Sequence, residues 1–307
     1  MAPVNLPESV VITEVAPRDG LQNEARILPL DQKVDLIDRL SRTGLKRIEA
    51  ASFVSPEAIP QMADAAAVMA AIERVPGVTY IGLVPNERGA RDAIAAGVDE
   101  VSVVVSASES HNRSNVNRSV DESLEAVTGI AALCAGANLP WTGYVSTAFG
   151  CPYEGAVDPE AVIRVARHYA QAGAYAVALG DTIGIANPKQ VRGLVASLIA
   201  AVPATQVRLH FHDTYGRAVA NIVAAMEAGA AQFDGSVGGL GGCPYAPGAS
   251  GNAATEDLIS MLDAMGVHTG VNLTALLEVT AFAAEMIGRP LDGRVQRAYA
   301  SRGQQRD

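Results

Sequence analysis

The run Gln206-Val207-Arg208-Leu209-His210-Phe211-His212, the helical stretch 218–228 closed by Gly229, and the run 232–237 decide the fold of this chain. Strand, helix and strand succeed one another within about 30 residues, the length of one βα repeat. The first run reads as a strand that ends in two histidines. Residues i and i+2 of a strand face the same side, so His210 and His212 present two imidazoles about 7 Å apart along the backbone. That suits two ligands of one metal ion. The same pattern also occurs where two histidines hydrogen-bond inside a core. The remaining ligands have to come from other parts of the chain.

Upstream, the same alternation repeats. Residues 10–15 form a β-branched run, and Leu30, Val34, Ile37 and Leu40 make a helical stripe closed by Gly44. Strands are expected at 45–50, 78–83, 100–105, 141–146 and 175–179, with helical patterns between them. Asp158-Pro159 and Asn187-Pro188 each open a helix as cap and first-turn proline. Two more helices are expected near 255–265 and 273–287. Eight βα units predict an α/β fold, a TIM (β/α)8 barrel with additional C-terminal helices. The reading is one catalytic domain over 1–290 and a polar, disordered C-terminal tail over 291–307. A doubly wound open sheet is the main alternative, but no GxGxxG follows the first strand.

The chain has 307 residues, 49% hydrophobic and 5% aromatic, with a net charge of −10. That charge repels nucleic acid and anionic lipid, so neither is expected as a partner. Cys134, Cys151 and Cys243 are odd in number and widely spaced, which suggests neither a disulfide framework nor a CxxC zinc site. Met1 to Leu6 lacks the pattern of a signal peptide, and no apolar stretch is long enough for a bilayer. The expected location is cytoplasmic.

A barrel of this kind carries its reactive residues at the C-terminal ends of its strands. Strand one runs into Pro17-Arg18-Asp19-Gly20-Leu21-Gln22-Asn23-Glu24. There Asp19 is a candidate oxygen ligand and Arg18 a candidate for stabilising an oxyanion; elsewhere the pair would read as a surface ion pair. Glu49 stands in an apolar run at the end of strand two, either as a structural carboxylate or as a group orienting the site. Tyr144, Ser146 and Asp181 end strands five and six. Beyond strand eight, Cys243 sits in a glycine-dense stretch, 238–252, that reads as a lid, with the cysteine as a proton donor or acceptor. Asn252 offers a neutral carbonyl oxygen. One carboxylate, two imidazoles and one amide oxygen favour a divalent cation such as Mg²⁺ or Mn²⁺ over a closed structural zinc site.

These motifs, with Ser52-Phe53-Val54-Ser55-Pro56, Gly150-Cys151-Pro152-Tyr153-Glu154-Gly155 and Gly180-Asp181-Thr182-Ile183-Gly184, resemble the 3-hydroxy-3-methylglutaryl-CoA lyase family from about Val10 to about Gly288. The resemblance implies metal ligands Asp19, His210, His212 and Asn252. It implies catalytic roles for Arg18, Glu49, Cys243 and His210, with Asp181 and Glu14 supporting the site. Substrate contacts are expected from Arg18, Gln22, Ser52, Tyr144, Ser146 and Asp181. The implied reaction is metal-dependent cleavage of the acyl-CoA substrate to acetoacetate and acetyl-CoA, and the implied assembly is a homodimer. This sequence departs from the family at Ala25, where lysine is frequent, and at Thr142, where well-studied members carry arginine. The stretch 106–118 is closer to the condensing relatives. A lyase for citramalyl-CoA, a condensing acyltransferase of the isopropylmalate-synthase kind, and a non-catalytic metal- or CoA-binding barrel are the alternatives.

Overall fold

The computed structural model describes residues 6–242 and 251–303. Eight parallel strands close on themselves in sequence order. They are β1 (Val11–Glu14), β2 (Arg47–Ser52), β3 (Thr79–Leu83), β4 (Glu100–Ser106), β5 (Trp141–Ser146), β6 (Ala176–Asp181), β7 (Gln206–Phe211) and β8 (Gln232–Gly235). Closure is made by β1 and β8, paired from Val11↔Gln232 to Glu14↔Gly235.

The outer layer is α1 (Leu30–Ser41), α2 (Ala65–Ala71), α3 (Glu87–Ala95), α4 (Glu109–Val116), α5 (Val120–Gly136) and α6 (Pro159–Gln171), followed by α7 (Pro188–Ala201) and α8 (Ala218–Glu227). Three C-terminal helices follow: α9 (Thr255–Ala264), α10 (Leu273–Ile287) and α11 (Arg294–Gly303). The expected caps are in place. Asp158 accepts from Glu160 N at the start of α6, and Asn187 accepts from Gln190 N at the start of α7. The apolar stripes of the helices meet the outward side chains of the strands. Leu36, Ile37 and Leu40 of α1, for example, are fully enclosed.

Two segments differ from the sequence reading. The stretch 106–118, given no element of its own from the sequence, holds α4, whose N-cap Ser108 accepts from the His111 amide. The helix is polar on every side, so no apolar period announces it. The tail expected to be disordered is helical over Arg294–Gly303. Asp257 accepts from the amides of Arg294 and Val295, and the Arg294 guanidinium meets Asp213 at 2.9 Å. Those capping and ionic contacts supply the docking that a polar tail lacks by itself.

At the N-terminal floor of the barrel, Glu100 of β4 lies between two arginines. Arg47 of β2 is 2.6 Å away and Arg208 of β7 2.7 Å away. Arg208 also donates to Thr142 Oγ1 of β5 at 2.6 Å and to Gln232 of β8 at 2.7 Å. Burial works to raise the Glu100 carboxyl, but Arg208 and Arg47 outweigh it and hold the group below its ordinary value. Arg208 of β7 thus places a guanidinium beside Thr142.

Candidate active site at the barrel mouth

Val15 leads from β1 into a single π-helical turn, Ala16–Gly20, which carries Arg18 and Asp19. Gly20 suits this turn because an added Cβ would lie only 3.0 Å from Leu240 Cβ. The turn drops both side chains into the mouth, where each is 8% exposed. On β2 the register with β3 shifts between Glu49 and Ala51, an irregularity of the sort that re-aims a side chain beside a site. Arg18 Nε donates to Glu49 Oε2 at 2.6 Å, and Ser102 donates to Glu49 Oε1 at 2.6 Å. The Arg18 guanidinium also bonds Asp19 Oδ1. Arg18 therefore sits between two carboxylates. Burial would lower its basicity, yet Glu49 and Asp19 raise it above the ordinary value. Burial raises Glu49 despite Arg18 and Ser102.

His210 and His212 do project to one side, with ring centroids 5.2 Å apart. Candidate ligand atoms of Asp19, His210 and His212 all lie within 4.8 Å of one another. Asn252 arrives by backbone pairing: residues 212 and 252 form an antiparallel bridge, supported by Asp213 N to Gly251 O and Ala253 N to Phe211 O. Its amide Nδ2 donates to Asp19 Oδ2 at 2.7 Å, and its Oδ1 is buried with no hydrogen-bond partner. Burial would raise Asp19, but Arg18, His210, His212 and Asn252 hold it far below the usual carboxylate range. Burial and the neighbouring His210 push His212 down to about 4. Burial would also lower His210, but the hydrogen bond to Asp234 and the Asp19 charge raise it.

A cavity of about 660 Å³ opens from this cluster. Arg18, Asp19, Gln22, Tyr144, Ser146, His210 and His212 line it, as does Gly242, the residue before Cys243. Cys243 itself lies outside the described residues. Gln22 donates to Asp19 Oδ1 at 2.9 Å. Asp181 and Ser52 stand apart from the cavity wall. Asp181 accepts from the amides of Ile185 and Ala186, both at 3.0 Å, and so holds its own loop; burial pushes it up to about 6. Glu14 does the same work on a wider scale. It accepts from Ala16 N, Val237 N and Thr255 Oγ1, joining the segments after β1 and β8 to the start of α9, and burial pushes it up to about 8.

Sequence reasoning missed two parts of this site. One is the α4 sector, where His111, Asn115, Val116 and Arg118 line the cavity together with Ile59 and Leu83. The other is Asp234 of β8, whose Oδ2 meets His210 Nδ1 at 3.1 Å and accepts from Tyr144 OH at 3.0 Å. An acidic residue inside a buried strand was the available signal, the same one that singled out Glu49.

Fold and site together define a TIM-barrel enzyme whose mouth holds a mixed carboxylate and imidazole group able to take a metal ion. The HMGL-like family model matches residues 9–283. Hydroxymethylglutaryl-CoA lyase YngG of Bacillus subtilis (strain 168) is 49% identical over 96% of this chain and 99% of its own length. The mitochondrial hydroxymethylglutaryl-CoA lyase of Mus musculus is 48% identical over 95% of this chain and 90% of its own. The structure of an HMG-CoA lyase from Acenitobacter baumannii, in complex with coenzyme A and 3-methylmalate, superposes with a TM-score of 0.91 at 41% identity, covering 95% of each chain. The chain belongs to the HMGL-like family and is a carbon–carbon lyase. Among the described residues, no helix is long and apolar enough to cross a membrane.

Proposed function

We propose that this chain cleaves 3-hydroxy-3-methylglutaryl-CoA to acetoacetate and acetyl-CoA. The observation that carries the reading is the convergence of Asp19, His210 and His212 beside Arg18 in one cavity, in a chain 49% identical to a hydroxymethylglutaryl-CoA lyase.

Asp19, His210, His212 and Asn252 would hold a divalent cation, Mg²⁺ or Mn²⁺. The donor set fits: the buried Asn252 Oδ1 has no hydrogen-bond partner, and three further acceptors face one another. Such an ion polarises a bound oxygen and lowers the pKa of a bound hydroxyl.

The remaining chemistry belongs to side chains. The tertiary hydroxyl proton is accepted within the Asp19–His210 pair as the bond between C2 and C3 of the acyl group opens. C3 becomes the ketone of acetoacetate. The bonding electrons pass into the thioester, leaving the enolate of acetyl-CoA. Arg18, fixed by Glu49, faces the oxygen that gains this charge; fixed donors aimed at developing charge are a large source of rate. Cys243 delivers the proton that turns the enolate carbon into a methyl group. Gln22, Tyr144 and Ser146 flank the acyl portion from the cavity wall, and the apolar sector around Ile59, Leu83 and Val116 receives the thioester arm. Likeness to the bacterial relative supports a cytoplasmic location, and family likeness supports a homodimer.

The test is to incubate the protein with Mg²⁺ and a panel of 3-hydroxyacyl-CoA thioesters and to follow acetyl-CoA. Release from 3-hydroxy-3-methylglutaryl-CoA is expected. Release only from another member, such as citramalyl-CoA, sinks the substrate assignment. Free CoA formed from acetyl-CoA and a 2-oxo acid would indicate condensation instead. Sedimentation of the purified protein tests the dimer.

A further inference from the structure

We propose that Asp234 is the positioning residue of His210: its carboxylate fixes the ring as the Nδ1–H tautomer and turns Nε2 toward Asp19 and His212. The inference deepens the metal-site reading above and rests on it.

The registers bring the pair together. Leu209 of β7 pairs with Phe233 of β8, so His210 and Asp234 follow as neighbours one step nearer the mouth, on the inner side of the barrel. Asp234 Oδ2 lies 3.1 Å from His210 Nδ1, and the Asp234 side chain is 1% exposed. The Oδ2 that accepts from Tyr144 OH also faces His210 Nδ1 at hydrogen-bond distance, and an acceptor oxygen there places the hydrogen on that ring nitrogen. The one nitrogen left over is Nε2.

Asp234 is itself held. Tyr144 OH donates to the same Oδ2 at 3.0 Å, and the Tyr144 ring stands edge-on to the imidazole at 81°. Asp234 Oδ1 is buried without a hydrogen-bond partner. A buried carboxylate with a free oxygen is costly to fold. Besides Tyr144, the side chain meets His210, a residue of the candidate metal group. A carboxylate on the far nitrogen of a metal-binding histidine fixes the ring's orientation and raises the donor strength of the near nitrogen.

The experiment uses two readouts on the full chain. In the metal-free protein labelled with ¹⁵N-histidine, NMR reports the tautomer of each ring. His210 is expected as Nδ1–H in the parent and as Nε2–H, or a mixture, in Asp234→Ala. In Asp234→Asn the side-chain oxygen can still accept from both His210 and Tyr144, so that variant keeps Nδ1–H. Mn²⁺ titration followed by electron paramagnetic resonance then gives the affinity. Asp234→Ala weakens it by about 10–100-fold, the range for such outer partners, and Asp234→Asn by less. Circular dichroism shows that the variants are folded, and if Asp234→Ala fails to fold, Asp234→Asn carries the test. A folded Asp234→Ala protein with the parent tautomer or parent Mn²⁺ affinity overturns the proposal, as does an Nε2–H ring in Asp234→Asn. Absence of Mn²⁺ binding by the parent protein would instead bring down the metal-site reading.

Discussion

The floor of the barrel buries Glu100 between the guanidiniums of Arg47 and Arg208, whereas the mouth gathers Asp19, His210 and His212 with their ligand atoms facing one another. Both clusters are assembled from inward side chains of several strands. At the floor, a carboxylate meets cations supplied by the same chain. At the mouth, Arg18 is shared between Glu49 and Asp19, and several acceptors still converge on a common point. Acceptors crowded in a weakly screened interior repel one another unless a cation joins them. The floor is therefore an arrangement for holding the barrel together, and the mouth an arrangement for receiving something.

Removing a ligand is the hardest test of that contrast. Chelation is expected to abolish cleavage and Mg²⁺ or Mn²⁺ to restore it. Asp19→Asn should lower kcat/KM by about 10³-fold or more, since an ion of this type supplies several kcal/mol of transition-state stabilisation. An Asp19→Asn protein within tenfold of the parent would make the mouth as structural as the floor. Arg18→Gln comes next: kcat should fall by roughly 10²–10³-fold, the usual effect of losing one oxyanion donor. A change confined to KM would show that Arg18 binds substrate without favouring the transition state.

The floor responds differently. Glu100→Gln leaves two buried arginines short of charge and should destabilise the fold by about 3 kcal/mol, read as a lower midpoint in urea. Its kcat at 25 °C should stay close to that of the parent; an equal loss of turnover would erase the distinction between the two ends.

The most gradual signal concerns Glu14, whose carboxyl is pushed by burial from 4.5 to about 8. Between those values the folded chain holds a proton that the unfolded chain has lost. The stabilisation from that proton is complete below about 4.5 and disappears as pH rises through about 8. The slope is on the order of 1 kcal/mol per pH unit for one such group. Glu256, raised by burial to about 7, acts in the same direction. Urea unfolding at pH 5 and pH 8 should show the decline in the parent chain and a flatter profile in Glu14→Gln. An identical decline in both would remove Glu14 as its source.

Much of this could be read from the sequence. Strands of β-branched residues alternate with amphipathic helices, and each strand buries its residues on both sides, so the barrel was legible in the hydrophobic pattern. Arg18, Asp19, His210 and His212 were legible because a barrel places strand ends at one mouth. Asp234 and the hydroxyl of Tyr144 were not, because their contact depends on closure across β5, β7 and β8, which no local pattern encodes. Asp181 was expected among the substrate contacts and as a support of the site; its carboxylate accepts from backbone amides of its own loop, and nothing local in the sequence tells an acid facing a cavity from one facing such amides. The tail became helix through contacts with Asp257 and Asp213, both distant in sequence.

The placement of Arg208 against Thr142 has a consequence for which substitutions this floor tolerates. The cation beside Thr142 comes from β7, two strands away. Arginine at both positions would press two guanidiniums together beside Arg47. Arginine at neither would strip Glu100 of one of its two partners. Either intermediate loses several kcal/mol, a large part of the 5–15 kcal/mol that separates a folded domain from an unfolded one. Positions 142 and 208 are thus energetically coupled: arginine at 142 is tolerated best together with loss of the guanidinium at 208.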